Sequence, residues 1–387
     1  MSRRAAWAVL VPALLASAIV ALTSRLGLDY YMDAAPGIQA LGAGDLHGWL
    51  ATQPQMGQLS ILLRAPVEAL GLSELWTYRL GALVLLSGPV ALTLVLWTSR
   101  RPRGMSALML VAVICLNPMT FRALHLGHPE EPLGGALCAI ALLLALEGRA
   151  RGAGVALGLA LATKQWAIFA VLPVIFACAP EHRRALVAVA VPVTAALVLP
   201  PILLNPHAFA ASMDRPLAGL SIMRPANLWS LVVPPRHFAD IGGEVVGLAV
   251  VPPWLRSLAH PLVVALGLTL ALLWRSRGRV VGADRALALL ALVFLVRCLL
   301  DPWNHGYYHW PFLAALACWE VRGCMRAPIV TAASSAWLWL VFTRTDGLLM
   351  DAAYVAWACV CIAFLTRDAF RPALPARLRS LAVAVFT

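Results

Sequence analysis

Long apolar runs alternate with short polar connections along the whole chain. A helix needs about 20 consecutive apolar residues to cross a bilayer, so several of these runs predict short or broken spans. The pattern predicts an all-α polytopic membrane bundle of about 12 spans that forms a single domain over residues 1–387. The apolar runs are Ala5–Leu22, Trp76–Trp97, Met105–Leu116, Leu133–Leu146, Gly152–Thr163, Trp166–Cys178, Ala185–Leu204, Pro261–Trp274, Ala286–Leu300, Trp310–Cys318, Pro328–Phe342 and Ala352–Leu365.

Two connections, at about 25–75 and 205–260, are much longer than the others. They contain Trp, Tyr, Pro and apolar residues rather than the composition of a disordered segment, and long ordered loops are often functional. We expect both to form a partly helical cap on one face, with an amphipathic interfacial helix at Ser60–Leu72. The stretch around Lys164 predicts either two spans or one re-entrant hairpin.

The composition excludes a soluble enzyme, because 61% of the 387 residues are apolar and only 12% are charged. The net charge of +12, with 29 arginines and a single lysine, would by itself suggest a nucleic acid partner. However, 19 of the 30 basic residues fall in alternate connections, which is the distribution of the positive-inside rule. The charge therefore predicts a multi-pass plasma-membrane protein with both termini cytoplasmic, and no nucleic acid partner.

Acidic residues and histidines gather on the opposite, outer face, which holds 13 of 18 carboxylates and eight of nine histidines. Ionisable groups at membrane edges are costly and usually face a cavity. Asp29 and Asp33, just after the first run, have the spacing that places both carboxylates on one face of a helix. An interfacial helix cap, with Tyr30 and Tyr31 as membrane-interface residues, is the alternative.

Two further candidates lie near the middle of the chain. His128 and Glu130, with Glu131, could bind a divalent cation or act as acid and base, although a polar loop capping the next helix explains them equally well. Lys164 could contact a phosphate as a point charge, or it could extend to the membrane interface.

Another candidate region begins at Arg297. Arg297 and Asp301 have the spacing of a helical ion pair, and the aromatic residues that follow, among them Tyr307 and Tyr308, suit a sugar or headgroup. The alternative is an aromatic belt with one structural ion pair. Arg224 and Asn227 are weaker candidates. The eight cysteines show neither a disulfide framework nor zinc-ligand spacing, so no metal site is predicted, and a divalent cation cofactor stays open.

Three short motifs resemble those of a known family. They are Asp29-Tyr30-Tyr31 with Ala34-Ala35, Gly127-His128-Pro129-Glu130, and the small-residue run from Ala153 to Lys164. Together with the layout of the spans, they resemble the polytopic GT-C glycosyltransferases. The resemblance is strongest to the actinobacterial polyprenyl-phosphate-mannose-dependent α-mannosyltransferases (GT87).

The resemblance implies transfer of a sugar, in this family mannose, from a polyprenyl-phosphate donor to a glycan or glycolipid acceptor on the extracytoplasmic face. It places a catalytic carboxylate in the first outer loop, which is Asp29 here, with Asp33 as the alternative. The remaining candidates would hold the donor phosphate or sugar in a membrane-lipid environment, with inversion at the anomeric carbon. These candidates are Lys164, Arg297, Asp301, His128, Glu130, Arg224, Asn227, Tyr307 and Tyr308.

Two other functions remain as alternatives. A secondary transporter commonly has about 12 spans, but the chain shows no matching halves and its polar residues gather at one edge. A non-catalytic membrane scaffold would tolerate replacement of Asp29, Lys164 and Asp301.

Overall fold

The structure, a computed structural model, describes residues 3–52, 57–100, 102, 104–211, 222–223, 226–233, 237–241, 244–277, 282–344 and 348–371. Every predicted apolar run coincides with helix, which confirms the all-α polytopic architecture. The helices are α1 (Arg3–Thr23), α2 (Ala35–Gly42), α3 (Leu46–Thr52), α4 (Gln58–Glu68), α5 (Glu74–Leu85), α6 (Ser87–Arg100), α7 (Met105–Cys115), α8 (Pro118–Leu126), α9 (Glu130–Leu146), α10 (Ala150–Thr163), α11 (Ile168–Ala177), α12 (Arg183–Leu204), α13 (Pro253–Arg277), α14 (Ala283–Leu300), α15 (Trp310–Cys318), α16 (Ile329–Arg344) and α17 (Leu348–Phe370).

Several spans are broken, as the short apolar runs predict. Six helical stretches in the described residues are long and apolar enough to cross a membrane, and two of them join successive helices, α5 with α6 and α7 with α8. Asn117 separates α7 from α8: its side chain accepts the Met119 N–H at 2.8 Å, and Pro118 begins the new helix. Asparagine at the N-cap followed by proline is a strong helix-start signal, so the break is encoded locally.

The centre of the bundle is α14, in which every residue from Ala286 to Leu300 is buried. A helix that is apolar on all sides belongs in the interior. It packs against α15, α17 and α13, while α1, α12 and α13 carry exposed apolar side chains such as Ile19, Val191 and Leu272. Exposed apolar faces on long helices are what a membrane protein presents to lipid.

Helix α10 packs tightly against α12 through small residues. A Cβ on Gly154 would lie 2.5 Å from the Leu186 carbonyl oxygen, and one on Gly158 would lie 2.8 Å from that of Ala190. Glycines four residues apart let helix backbones approach closely in membranes. Since the contacts advance along both helices together, α10 and α12 run parallel.

This direction settles the path of the chain around Lys164. Parallel neighbours α10 and α12 start at the same end of the bundle, so α11 must return to that end between them. Gly148 to Gly152 and His182 with Ala185 accordingly line one cavity. Lys164 therefore lies at the far tip of a helical hairpin, α10–α11. Both halves are shorter than a straight span, with 14 and 10 residues.

The two ends of the bundle differ in charge. The arginine end, defined by Arg149, Arg183, Arg285 and Arg371, includes an ion pair between Arg371 and Asp284. The site end, defined by Asp29, Glu130, Lys164 and Asp301, gathers the end of α1, the start of α9, the tip of α10–α11 and the end of α14.

We call the two long connections, at about 25–75 and 205–260, the first and second outer segments. The first outer segment is helical, as expected, and packs on the bundle. Helix α4 contacts α2, α5 and α10, and Ile61, Arg64 and Val67 are buried while Leu62 is exposed. Helix α4 is thus amphipathic, but its buried face packs against other helices of the protein.

The second outer segment contains a small sheet in addition to helix. Strands β1 (Ile222–Met223), β3 (Glu244–Val250) and β2 (His237–Ile241) lie side by side in that order and are antiparallel. We expected helix in this segment, but valine-rich sequence favours strands. The register pairs Ile241 with Glu244, and the two glycines between them in sequence are favoured in tight hairpin connections.

Candidate active site

Two glycines bring the first outer segment into direct backbone contact with the end of α8. A Cβ on Gly27 would lie 2.4 Å from the Leu126 carbonyl carbon, and one on Gly127 would lie 2.4 Å from the Tyr30 nitrogen. Gly127 also has φ +99°, which side chains rarely adopt. Because neither glycine has a side chain, Asp29 can lie beside His128.

Four side chains of alternating charge contact one another in succession and form a charged line: Asp29, His128, Glu130 and Lys164. His128 Nε2 lies 2.9 Å from Asp29 Oδ2, and His128 Nδ1 lies 2.8 Å from Glu130 Oε1. Lys164 Nζ donates to the same Glu130 oxygen at 2.8 Å. The Asp29 side chain is 34% exposed, whereas that of Glu130 is fully buried. Asp29 is therefore the accessible end of an otherwise buried line.

A second set of contacts starts from the neighbouring carboxylate. Glu131 Oε1 accepts the Trp166 indole N–H at 3.0 Å and lies 3.6 Å from Lys164 Nζ. The Arg297 guanidinium lies 5.2 Å from the Trp166 ring centre and 4.6 Å from that of Tyr308. Such distances are those of cation–π contacts.

Arg297 differs from Lys164 in its polar partners. Its Nη1 donates to the Tyr308 carbonyl oxygen at 3.4 Å, and no carboxylate of the described residues lies within 4.0 Å of its guanidinium. A buried arginine with no carboxylate at ion-pair distance among the described residues is suited to an anionic ligand, because the guanidinium fork matches phosphate.

Aromatic rings cover the line on one side. Tyr307 stacks on His128 with ring centres 4.8 Å apart and an interplanar angle of 25°. His305 lies 5.0 Å from Tyr307 and 5.2 Å from Tyr308, measured between ring centres. The rings exclude water from the histidine and strengthen its polar contacts.

The carboxylates control the protonation of His128. Burial by itself lowers the pKa of this imidazole, but the charge of Glu130 and the hydrogen bonds to Asp29 and Glu130 raise it to about 9. At neutral pH the ring is a cation that donates to both carboxylates. Asp33, half-buried nearby, has a raised pKa mainly because of burial, which the charges of His128 and Lys164 oppose.

The structure brings together most of the residues singled out in the sequence. Asp29, His128, Glu130 and Lys164 form one line, while Arg297, Tyr307 and Tyr308 lie next to it. Arg224 lies outside the described residues.

Two expected interactions are replaced by others. Asp301 does not pair with Arg297: its Oδ1 accepts the Trp303 N–H at 2.9 Å and lies 4.0 Å from His260 Nε2. The helix ends at Leu300, so Asp301 has extended backbone and leaves the helical face that the spacing assumes. Lys164 was expected to contact a phosphate, but its ammonium group already contacts two carboxylates, Glu130 and Glu131.

Asn227 lies in a separate buried cluster. Its side-chain oxygen accepts the Ser230 N–H at 3.0 Å, and its amide donates to the Pro302 carbonyl at 3.3 Å. Asn304, held by the Ala226 carbonyl, connects this cluster to the segment that carries Tyr307. Asn227 thus holds the second outer segment against the end of α14.

Two contacts of the site were not predicted from the sequence. Trp166 and the specific role of Glu131 follow only from packing, although a tryptophan two residues after the single lysine was a usable signal. Arg64 was also missed: it is buried on α4, donates to the Ser60 hydroxyl at 2.7 Å and packs on Gly81.

The described residues contain no group of three or more His, Cys, Asp or Glu side chains placed to hold a metal ion. Both nitrogens of His128 face carboxylates, so the ring has no nitrogen left for a metal.

The chain matches a known protein family. The family model described as Glycosyltransferase family 87 matches residues 59–302. No curated protein matches the chain. The matched region includes His128, Glu130, Lys164 and Arg297, and Asp29 precedes it.

Proposed function

This chain belongs to glycosyltransferase family 87 and is a membrane glycosyltransferase, and we propose that it transfers mannose from a polyprenyl-phosphate donor to a glycan or glycolipid hydroxyl. Family membership favours this reading over a transporter or a scaffold. The exposed apolar helices support a lipid-linked donor, because its chain would lie along them in the bilayer.

Asp29 is the proposed general base. The observation that carries this role is its position as the accessible end of a buried charged line. The acceptor oxygen attacks the anomeric carbon while the bond from that carbon to the phosphate oxygen breaks. The acceptor proton passes to Asp29, and the electron pair of the broken bond leaves with polyprenyl phosphate. A single displacement inverts the anomeric carbon, and the phosphate leaving group needs no acid.

Arg297 is the proposed phosphate ligand. Of the three cations predicted from the sequence, Arg224 lies outside the described residues and Lys164 already contacts Glu130 and Glu131. Arg297 has no carboxylate within 4.0 Å among the described residues. Its guanidinium would stabilise the charge that develops on the phosphate oxygen. Tyr308 and Trp166 both hold the guanidinium through cation–π contacts.

The proposed reaction takes place on the extracytoplasmic side of the plasma membrane. The distribution of arginine supports this orientation, since arginine-rich connections favour the cytoplasm. The arginine end would then be cytoplasmic, as would both termini, and the site end would face outward.

The test uses purified protein in lipid nanodiscs, a panel of polyprenyl-phosphate sugars and mass spectrometry of the released polyprenyl phosphate. We expect the mannose donor to react and Asp29→Asn to lower kcat by about 100-fold or more, the usual size of a general-base contribution. Asp45→Asn is the matched control, because Asp45 is an exposed carboxylate in the same outer segment that caps Gly48. Full activity of Asp29→Asn with loss in Asp33→Asn would transfer the role to Asp33.

A further inference from the structure

Glu130 and Glu131 are consecutive residues whose carboxylates serve different neighbours. Both side chains are fully buried at the start of α9. Glu130 meets His128, and through it the proposed base Asp29. Glu131 meets Trp166, and through it the proposed phosphate ligand Arg297.

Lys164 lies between these two sets of contacts. Its Nζ is 2.8 Å from Glu130 Oε1 and 3.6 Å from Glu131 Oε1, and its side chain is 13% exposed. Its backbone is extended at φ −158°, where α10 ends, and its N–H bonds to the Ala160 carbonyl. The tip of the helical hairpin thus places the Lys164 ammonium group beside both carboxylates.

We propose that Lys164 is a positioning residue for the base and for the phosphate ligand at once, and that it does not itself bind the donor. The proposal rests on the proposed function. Without the ammonium group, two adjacent buried carboxylates would repel each other and lose their main cation. Glu130 would then hold His128 less firmly, and Glu131 would hold the Trp166 ring less firmly.

The contacts of Trp166 explain how the second effect reaches Arg297. Its indole N–H is fixed by Glu131, its ring edge meets Phe294 with centres 5.6 Å apart, and Gly134 leaves room for the ring. A Cβ on Gly134 would lie 3.2 Å from the ring, so the ring packs closely against the backbone on that side. Trp166→Phe keeps a ring for Arg297 but removes the N–H.

Three single variants and two double variants separate the roles. Trp166→Phe should weaken inhibition by the product polyprenyl phosphate, and it should lower kcat by a smaller factor than His128→Gln does, because Arg297 keeps an aromatic neighbour but is held less firmly. His128→Gln should lower kcat and leave that inhibition constant unchanged. Lys164→Met should change both quantities, each by about tenfold, which is less than the full cost of breaking a buried ion pair because the ammonium group acts on each quantity through intermediate residues.

The double variants give the deciding measurement. If Lys164 acts through Glu131 and Trp166, then Trp166→Phe should have little further effect on product inhibition once Lys164 is Met. His128→Gln should likewise add little to kcat in the same background. Residues that act in series are non-additive, whereas the effects of independent contacts multiply to within about twofold. Full additivity in both cycles would overturn the proposal and return Lys164 to the role of a direct phosphate ligand.

Two controls keep the result interpretable. Lys164→Met combined with Glu130→Gln removes both charges of the pair, so it keeps the fold testable if the single variant is unstable. Arg25→Met removes an exposed cation at the same end of the bundle and should leave both quantities unchanged. A wild-type protein that releases no polyprenyl phosphate from any donor rejects the proposed function, whereas additive cycles in an active protein reject only this inference.

Discussion

At the scale of single residues, the same imidazole contacts two carboxylates of very different exposure. Asp29 is one-third exposed and Glu130 is fully buried, although both lie within 2.9 Å of His128. Water cannot solvate the buried carboxylate of Glu130, so the positive charges of His128 and Lys164 stabilise it. The exposed partner remains available to an incoming hydroxyl.

The protonation of His128 should make stability depend on pH in a defined direction. The folded-state pKa of about 9 exceeds the ordinary value of 6.5. The stability that His128 contributes is therefore complete below pH 6.5 and is lost as the pH rises through about 9. We expect Tm to fall more steeply between pH 7 and 10 for the wild type than for His128→Gln. His260→Gln, which replaces a half-exposed histidine, should behave as the wild type, and parallel curves for all three would contradict the assignment.

Replacing Gly127 should cost both backbone strain and a steric clash, and a second glycine without the clash can separate the two effects. An alanine there would adopt φ +99° and would place its Cβ 2.4 Å from the Tyr30 nitrogen. We expect Gly127→Ala to lower Tm and to reduce transfer at least about tenfold, because the segment carrying Asp29 must move. Gly148 has φ +73° but nothing within 4 Å of its Cβ position. Gly148→Ala should therefore show the backbone strain alone, about 1–2 kcal/mol, with normal transfer. Equal losses in the two variants would show that strain, not contact, decides.

At the scale of elements, the α10–α12 contact determines where the tip of the hairpin lies. Gly154→Ala would place a Cβ 2.5 Å from the Leu186 carbonyl oxygen, so the helices must separate. We expect a lower Tm and weaker transfer, since Lys164 ends the same helix. Gly152→Ala is the matched control, because its Cβ would meet only Leu144 at 3.4 Å. An unchanged Gly154→Ala protein would show that the two helices can separate without cost.

The sequence predicts helices better than it predicts their contacts. Apolar runs are local signals, and each predicted run coincides with helix. The Asn117-Pro118 break is also encoded locally. The buried face of α4 depends on neighbours far away in sequence, such as α10. The β2–β3 hairpin is instead a local feature that the expectation of helix overlooked.

The same limit applies to the site. Residue types and their position at one end of the bundle identified Asp29, His128 and Lys164, because charged groups in an apolar chain are few. Their partners depend on the hairpin geometry of α10–α11, which a linear pattern cannot resolve. The helical spacing of Arg297 and Asp301 misled for a related reason: the helix ends between them.

At the scale of the whole molecule, the two ends can be assigned to membrane faces by matched labels. Gly44 and Gly148 are both open turn positions with positive φ and nothing within 4 Å of the Cβ position. We expect a membrane-impermeant maleimide to label Gly44→Cys in intact cells and Gly148→Cys only after permeabilisation, with the wild type as background for the native cysteines. The opposite pattern would place the site end in the cytoplasm and reject the proposed orientation.

Glu130 and Glu131 are consecutive in the sequence, and this limits the geometry of the proposed reaction. One carboxylate contacts His128 beside the proposed base and the next contacts Trp166 beside the proposed phosphate ligand, so the protein fixes the separation of base and phosphate ligand. The length of the lipid and the identity of the acceptor can change without altering that separation. Under the proposed mechanism, attack would be confined to acceptor hydroxyls that reach Asp29 while the donor phosphate contacts Arg297, and the regiochemistry of the new glycosidic bond would follow from that separation.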